Sequence, residues 1–265
     1  MPSTRDAKRF VSQFRKVHLA SLLARVRPEK AADGLPLPPP SLRYLVGVSD
    51  ADAFVRSGQR LATVIRDTLA RQGVDLEQLG AILDFGCGAG RMVRQWVGLQ
   101  GVEIHGCDYN ARLVEWCRRG LPFASFEVNR LEPPLPYSDG KFGLVYAYSV
   151  FTHLPAALQL PWMEELHRVL RPGGYLLFTT HGASFAATRL TAGERERFDR
   201  DELVVHAPTA AGTNPYAAFH PPTYVRETLA RQFEVLEHVE GAGPDATPGA
   251  GRRRQDTYLL RRPGP

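Results

Sequence analysis

The sequence predicts an α/β fold in which helices cover both faces of a doubly wound, mostly parallel sheet. From Ala81 onward, short apolar segments alternate with segments of helical periodicity. That alternation is typical of a parallel sheet with crossover helices. The chain has 265 residues, of which 43% are hydrophobic and 23% are charged, a composition typical of soluble globular proteins. A chain of this length buries enough apolar surface to fold without disulfide bonds or a structural metal.

The first 48 residues are predicted to form a helix and a proline-rich segment, followed by the main domain at residues 49–265. Residues 10–26 carry apolar side chains at helical spacing, with Arg and Lys between them. The prolines at positions 36, 38, 39 and 40 predict an extended segment that excludes helix. We expect residues 35–48 to be either part of a lid or a surface connector.

The main domain is predicted to begin with a helix that runs to about Arg71. Ser49 and Asp52 have the spacing of a capping box, and Gly73 ends the helical pattern. Residues 181–221 are too many for a simple crossover and are predicted to add a cap over the carboxyl ends of the strands. Seven strands are expected near residues 81–84, 102–107, 123–128, 142–148, 174–180, 234–239 and 256–261, and further helices near 90–99, 110–119, 156–170, 193–200 and 222–233.

The positive charge of the chain lies at its ends. The net charge is +5 and the pI is about 9.3. Residues 1–30 have a net charge of +6 and residues 251–265 a net charge of +4, so the 220 residues between them have a net charge of −5. This distribution argues against a fold that lies along a nucleic-acid backbone. We expect Arg252, Arg253 and Arg254 to form a solvated turn before the last strand.

The cysteines and the uncharged segments indicate a cytoplasmic protein without a membrane span. Cys87, Cys107 and Cys117 are too few for a disulfide framework, and no C-x-x-C pair is present to bind zinc. We therefore expect no metal site. The N-terminus lacks the pattern of a secretory signal. Residues 142–163 are uncharged, but polar residues and prolines interrupt them, so we interpret them as a buried strand, a loop and a helix start.

A glycine-rich turn follows the first predicted strand, in the run from Asp84 to Gly90. Such a turn lets a ligand approach backbone N–H groups, and the N-terminus of the helix after it favours an anionic group. The dinucleotide fingerprint needs a third glycine where this chain has Arg91 or Val93, so that motif is absent. Asp108 ends the second strand, where a carboxylate accepts hydrogen bonds from ribose hydroxyls or else caps the next helix. Together the turn and Asp108 indicate a nucleoside ligand.

Two further motifs accompany the turn Asp84-x-Gly86-x-Gly88-x-Gly90 and Asp108: the runs 142–154 and 166–176. In this order and at this spacing, the motifs resemble the class I S-adenosylmethionine-dependent methyltransferases. The resemblance covers residues 81–181 tightly and the last two strands loosely. It implies a Rossmann-like sheet of seven strands with the last strand antiparallel, with S-adenosyl-L-methionine as cofactor and S-adenosyl-L-homocysteine as product.

The resemblance also implies roles for individual residues. The methionine part of the cofactor would be held by Asp84 and the turn that contains Gly86, Cys87, Gly88 and Gly90. Asp108 would hold the ribose, Tyr109 would pack against adenine, and the turn from Asn129 to Leu131 would line the adenine edge. The family often has aspartate where this chain has Asn129, so the acceptor would here be an amide carbonyl. Ser149 would lie beside the sulfonium.

Three histidines are candidate general bases, because a hydroxyl acceptor must lose a proton on methylation and the pKa of histidine lies near neutral pH. His153 follows the fourth strand, His181 ends the fifth, and His220 lies in the predicted cap. Each also has a structural interpretation, as a packing residue or a helix cap. Arg43, Tyr44 and Tyr216 are candidate substrate contacts in the predicted walls of the pocket.

The sequence therefore favours an enzyme that methylates an oxygen or nitrogen of a small molecule, such as a metabolite, natural product or glycan, by in-line displacement. We expect a monomer or homodimer. One alternative is an RNA or protein methyltransferase that docks through its basic ends. Another is a non-catalytic cofactor-binding protein that has kept the fold.

Overall fold

A computed structural model describes residues 29–206, 216–244 and 254–264 of the chain. The predicted N-terminal helix over residues 10–26, Arg252 and Arg253 lie outside these ranges. None of the helices in the described ranges is long and apolar enough to cross a bilayer.

A sheet of seven strands forms the centre of the molecule, in the spatial order β3-β2-β1-β4-β5-β9-β8. The strands β1 to β5 and β8 run parallel, and β9 is antiparallel to both of its neighbours. This confirms the predicted fold class. The seven strands are β1 (Ala81–Phe85), β2 (Glu103–Asp108), β3 (Ser125–Val128), β4 (Phe142–Ala147), β5 (Leu170–Thr180), β8 (Glu234–Val239) and β9 (Asp256–Arg261).

The central strands are buried on both faces because helices cover the sheet from both sides. All residues of β1 and β4 are buried, as expected for parallel strands with near-continuous apolar sequence. Along β1, Leu83 and Phe85 pack into the core on one face, and Ile82 packs into the core on the other. The functional side chains of β1 can therefore emerge only at its carboxyl end.

The described residues contain six α-helices of six or more residues: α1 (Pro40–Leu45), α2 (Ala51–Arg71), α3 (Ala111–Gly120), α4 (Ala156–Val169), α5 (Ala183–Arg189) and α6 (Ala192–Asp199). The N-cap of α2 is Asp50, whose side chain accepts a hydrogen bond from the backbone N–H of Ala53 at 2.7 Å. The predicted Ser49 cap is therefore wrong by one residue. Gly73 follows the helix with a φ of +69°, as the predicted stop requires.

Three predicted elements differ from the structure. The proline run is not wholly extended, because Pro40 begins α1 at the first helical position, where a missing N–H costs nothing. In place of a helix at 90–99 there is a single 3₁₀ turn, Val93–Trp96. In place of a helix at 222–233, a short turn at Pro222–Tyr224 continues as a π-helix over Val225–Leu229.

The cap contains α5, α6 and a small hairpin that sequence periodicity did not reveal. Its strands are β6 (Val204–His206) and β7 (Ala217–Phe219), paired antiparallel. The hairpin is joined to the main sheet by one bridge between His181 and Phe219. Phe219 also packs with Phe198 and Ala186 in a small apolar cluster of the cap. The cap is thus attached at the carboxyl end of β5, as predicted for the insertion.

The segment 29–48, here called the strap, runs across the carboxyl edge of the sheet toward α2 and is fixed by one buried arginine. Arg94 donates hydrogen bonds from Nε and Nη2 to the two carboxylate oxygens of Asp33, at 2.9 and 2.8 Å. It also donates to the backbone carbonyl of Pro36 at 3.2 Å. The Arg94 side chain is 1% exposed and that of Asp33 25%. Leu37 and Leu42 of the strap pack against Phe54 of α2.

Substitution Asp33→Ala is expected to reduce the free energy of unfolding by about 1–3 kcal/mol, because it leaves a buried guanidinium without its carboxylate. Urea denaturation measures the loss. The matched control is Glu115→Ala, which removes the exposed ion pair to Arg119 and is expected to cost less than about 0.5 kcal/mol. Equal small effects of both substitutions would contradict the role assigned to Arg94.

Candidate active site

A cavity of about 780 Å³ opens at the carboxyl edge of the sheet, between the strap and the ends of β1, β2 and β4. This volume lies in the range of small-molecule sites. Its position follows the rule that open α/β sheets bind ligands beyond the carboxyl ends of their strands. The predicted site residues that line it are Tyr44, Asp84, Gly86, Cys87, Gly88, Asp108, Tyr109, Leu131, Ser149 and His153.

The floor of the cavity is the glycine turn after β1. The backbone N–H groups of Gly86 and Cys87 both donate to the carbonyl of Cys107 at 2.9 Å, which joins the turn to β2. Gly86 and Gly88 have φ values of +79° and +53°, a region that favours glycine. A Cβ on Gly86 would lie 2.5 Å from Val150, and one on Gly88 would lie 2.7 Å from Val46 of the strap. A side chain at either position would therefore displace a wall of the cavity.

Asp108 ties the glycine turn to the start of α3. Its Oδ2 accepts from the backbone N–H of Gly88 at 2.9 Å, and its Oδ1 accepts from that of Asn110 at 2.8 Å. Burial raises the pKa of this carboxyl, and the two N–H donors partly offset the rise. Each carboxylate oxygen can accept a further hydrogen bond, and Asp108 lines the cavity. Asp108 can thus hold the loops and accept from ligand hydroxyls at once.

Asp84 is a second buried carboxyl in the cavity wall. Burial raises its pKa to about 8, although the positive charge of Arg91 and a hydrogen bond from Tyr146 favour the ionised form. The hydroxyl of Tyr146 itself accepts a hydrogen bond from the indole of Trp96 at 2.8 Å. A cationic ligand beside Asp84 would favour the ionised form that burial disfavours.

Asn129 and Leu131 line a small side chamber of about 40 Å³, whose walls also include Asp108, Tyr109 and Val150. These last three residues line the main cavity too, so the two spaces are adjacent. Asn129 donates from Nδ2 to the carbonyl of Arg130 at 2.6 Å. Its Oδ1 is buried and has no hydrogen-bond partner in the described part of the chain. An unsatisfied acceptor of this kind fits a ligand that brings an N–H donor.

Ser149 follows β4 with a φ of +59°, an uncommon value for a residue other than glycine. A buried polar network holds it in this conformation. Its N–H donates to Oγ1 of Thr179 at 2.8 Å, and Oγ1 of Thr179 donates to Oε1 of Gln255 at 2.6 Å. Nε2 of Gln255 donates back to Oγ of Ser149 at 3.0 Å. The conformation of the loop after β4 thus depends on a residue that immediately precedes β9.

Only one of the three candidate bases lines the cavity. His153 is in its wall, and its Nδ1 lies 2.8 Å from the backbone carbonyl of Tyr216. A carbonyl only accepts, so Nδ1 carries the proton and the basic nitrogen of the neutral ring is Nε2. This geometry suits a general base.

His181 and His220, the other two candidate bases, are not among the residues that line this cavity. His181 stacks on Phe185 with ring centroids 4.2 Å apart, and burial with the nearby His153 lowers its pKa to about 4. His220 is fully buried and lies 3.2 Å from Oε1 of Gln159; burial lowers its pKa to about 3. His181 also lies 3.3 Å from Nε2 of Gln255, which donates to Ser149 of the cavity wall.

Three other predicted contacts are also placed away from the cavity. Arg43 is buried. Its guanidinium donates hydrogen bonds to the carbonyls of Ser49 and Pro38 and to the carboxylate of Glu29. The side chain of Tyr216 is buried, and it is the backbone carbonyl that meets His153. Gly90 is not among the residues that line the cavity, and a Cβ there would lie 2.5 Å from Leu121 and 3.2 Å from Cys117.

Sequence reasoning missed several residues of the cavity wall, notably Arg91, Tyr148 and Arg254. Arg91 directly follows the glycine turn, a position that could have signalled a ligand contact. Arg254 was assigned to a solvated turn, yet it lies against the cavity because β9 runs antiparallel and begins at the carboxyl edge of β5. No local sequence pattern indicates that β9 pairs antiparallel with β5.

The model of a protein family described as a methyltransferase domain matches residues 83–178. The chain is 29% identical to the methyltransferase GfsG of Streptomyces halstedii over 139 residues, which are 50% of this chain and 47% of that protein. It is 33% identical to a malonyl-[acyl-carrier protein] O-methyltransferase of Enterobacter lignolyticus over 102 residues, 38% of this chain and 39% of that protein. The chain therefore spans half or less of the length of these curated relatives.

The fold is similar to that of a solved structure of an S-adenosylmethionine-dependent methyltransferase from Mesorhizobium loti. The TM-score is 0.57 at 18% sequence identity, with 74% of this chain and 97% of that chain covered. The sequence match covers the glycine turn, Asp108 and the strands up to β5, and the structural match extends over most of the described chain.

Substitution Asp84→Asn is expected to stabilise the protein without ligand, and increasingly so as the pH rises from 5 to 8. The unfolded carboxyl ionises above about pH 4, whereas the folded carboxyl keeps its proton up to a pKa of about 8. Folding therefore binds a proton across this window, and the stability of the wild-type protein falls with rising pH relative to the variant. Thermal unfolding of both proteins at each pH measures the difference. A difference that stays constant from pH 5 to 8 would contradict the raised pKa.

Proposed function

We propose that this chain, which belongs to the class I S-adenosylmethionine-dependent methyltransferases, transfers a methyl group to an oxygen or nitrogen of a small-molecule acceptor. The observation that carries the proposal is one cavity that contains the glycine turn, both buried aspartates and His153. A volume of about 780 Å³ provides room for a nucleoside cofactor together with a small acceptor.

The residues present fit the cofactor. Asp108 would accept from the ribose hydroxyls, and Asp84 would pair with the cationic amino group of the methionine part. The buried, unpartnered Oδ1 of Asn129 would accept from the adenine amino group, and Tyr109, which lines both spaces, would pack against the ring. When bound, S-adenosylmethionine supplies an electrophilic methyl group on a sulfonium.

The protein residues would contribute to the reaction by aligning the acceptor with the methyl group and by removing a proton. In-line displacement needs the acceptor atom and the methyl group held on one line, and such positioning provides much of the rate acceleration. Ser149 and Val150 fix the wall beside the methionine part, and the polar network of Thr179 and Gln255 fixes Ser149. His153 would take the proton of a hydroxyl acceptor on Nε2 and pass it to solvent.

The strap would exclude water from the reaction. Tyr44, Leu45 and Val46 line the cavity, and Val46 contacts the glycine turn at Gly88. An electrophilic methyl group in a water-filled site would be exposed to competing nucleophiles, so a cover over the cofactor supports transfer to the acceptor.

Release of S-adenosylhomocysteine from S-adenosylmethionine tests the proposal. The purified protein is assayed with phenols, sugars, amines, carboxylic acids, thiols and total RNA, and we expect product with a small-molecule class. Asp108→Ala is the control, with cofactor affinity expected to fall by about 1–3 kcal/mol because the ribose loses its acceptor. Product with RNA alone would overturn the small-molecule assignment. Cofactor binding without turnover on any class would favour a non-catalytic protein.

Substitution His153→Asn separates the base from the cofactor site. The asparagine amide keeps a donor toward the carbonyl of Tyr216 but removes the basic nitrogen. With a hydroxyl acceptor we expect kcat/KM to fall by about 10²- to 10⁴-fold. With an amine acceptor of low pKa the loss should be smaller. An unchanged kcat/KM with a hydroxyl acceptor would exclude His153 as the base.

A further inference from the structure

The cavity wall contains two arginines and a tyrosine that lie close together. Arg91, Tyr148 and Arg254 all line the cavity. The guanidinium of Arg91 lies over the ring of Tyr148, 6.0 Å from its centroid. Burial raises the pKa of Tyr148, while the positive charges of Arg91, Arg254 and Arg60 act to lower it, so these arginines are close to the phenol, although Arg60 is not among the residues that line the cavity. The three side chains therefore form one electropositive patch.

No carboxylate of the described residues forms an ion pair with either arginine. Arg43 and Arg94 differ in this respect, because they form ion pairs with Glu29 and Asp33. Arg254 donates from Nη2 to the backbone carbonyl of Pro244, which orients the guanidinium without neutralising it. An unneutralised guanidinium in a concave wall is suited to an anion.

The cofactor can neutralise only one of the two arginines that line the cavity. The cofactor brings a single carboxylate, on its methionine part, together with the positive amino group and sulfonium. Asp84 would pair with the amino group, and Arg91, whose charge already acts on Asp84, is the arginine nearest the methionine end. The carboxylate of the cofactor would then neutralise Arg91. Arg254 and the positive sulfonium would remain without an anionic partner.

Arg254 would lie near the reacting centre because the residue after it is hydrogen-bonded to Ser149. The next residue, Gln255, donates to Oγ of Ser149 at 3.0 Å, and Ser149 is in the wall where the methyl group is expected. We infer that Arg254, with the hydroxyl of Tyr148, binds a carboxylate of the acceptor and so selects acidic small molecules. This inference rests on the proposed function and names the substrate class of the same site. A planar carboxylate matches the fork of a guanidinium.

Binding of acids and their amides to the cofactor-loaded protein tests the inference. The first measurement is the affinity for S-adenosylhomocysteine, by calorimetry. The loaded protein is then titrated with benzoate, salicylate, anthranilate and lactate, and with benzamide, salicylamide, anthranilamide and lactamide. Each acid and its amide have nearly the same shape, but only the acid carries a negative charge. We expect at least one acid to bind about tenfold or more tightly than its amide.

Substitution Arg254→Gln is expected to abolish the preference for the acid and to leave the affinity for S-adenosylhomocysteine within about twofold. Arg119→Gln, which removes the same charge from an exposed position of α3, should change neither. Acids and amides that bind equally, or that both fail to bind, would overturn the inference while leaving cofactor binding intact. A preference that persists in Arg254→Gln would overturn the role of Arg254. Failure of S-adenosylhomocysteine to bind at all would instead contradict the proposed function.

Discussion

One buried carboxylate holds together the loops that form the cavity. Asp108 accepts from the N–H of Gly88 on one side and from the N–H of Asn110 on the other. It thereby joins the turn after β1 to the first turn of α3, where Asn110 caps the helix by accepting from Arg112 at 3.1 Å. The glycine turn and the start of α3 are therefore one unit. Because a carboxylate oxygen accepts more than one hydrogen bond, the same group can serve the fold and a ligand.

The direction of the strands determines which residues meet around that unit. Parallel strands bring their carboxyl ends to one edge, and this places Asp84, Asp108 and Ser149 at a common site. The antiparallel strand β9 does the opposite, since Asp256 at its start pairs with Thr180 at the end of β5. Arg254, which precedes β9, therefore lines the cavity, and Gln255 reaches Ser149. The strap closes the remaining side, and Arg94 fixes it to the sheet.

Signals that are local in the sequence predicted their part of the structure well. The strands of the sheet, the glycine turn and Asp108 could be predicted because short apolar runs, glycines and a strand-end carboxylate depend on neighbours in the chain. The burial of His220 could not be predicted from its neighbours in the chain. Its partner is Gln159, 61 residues away, and only packing of the cap on α4 reveals that the imidazole is buried. The position of Arg254 likewise depends on the pairing of β9 with β5, and that of Val46 on contact with Gly88.

A crystal structure of the protein with S-adenosylhomocysteine would show whether Asp108 binds the ligand as well as the loops. We expect the ribose hydroxyls to contact the carboxylate of Asp108, the amino group of the methionine part to contact Asp84, and adenine to lie between Tyr109 and the turn at Asn129. The strap should remain over the ligand, with Val46 beside the glycine turn. A ligand bound elsewhere, or one bound in the cavity with Asp108 still directed only at the backbone of Gly88 and Asn110, would contradict the account.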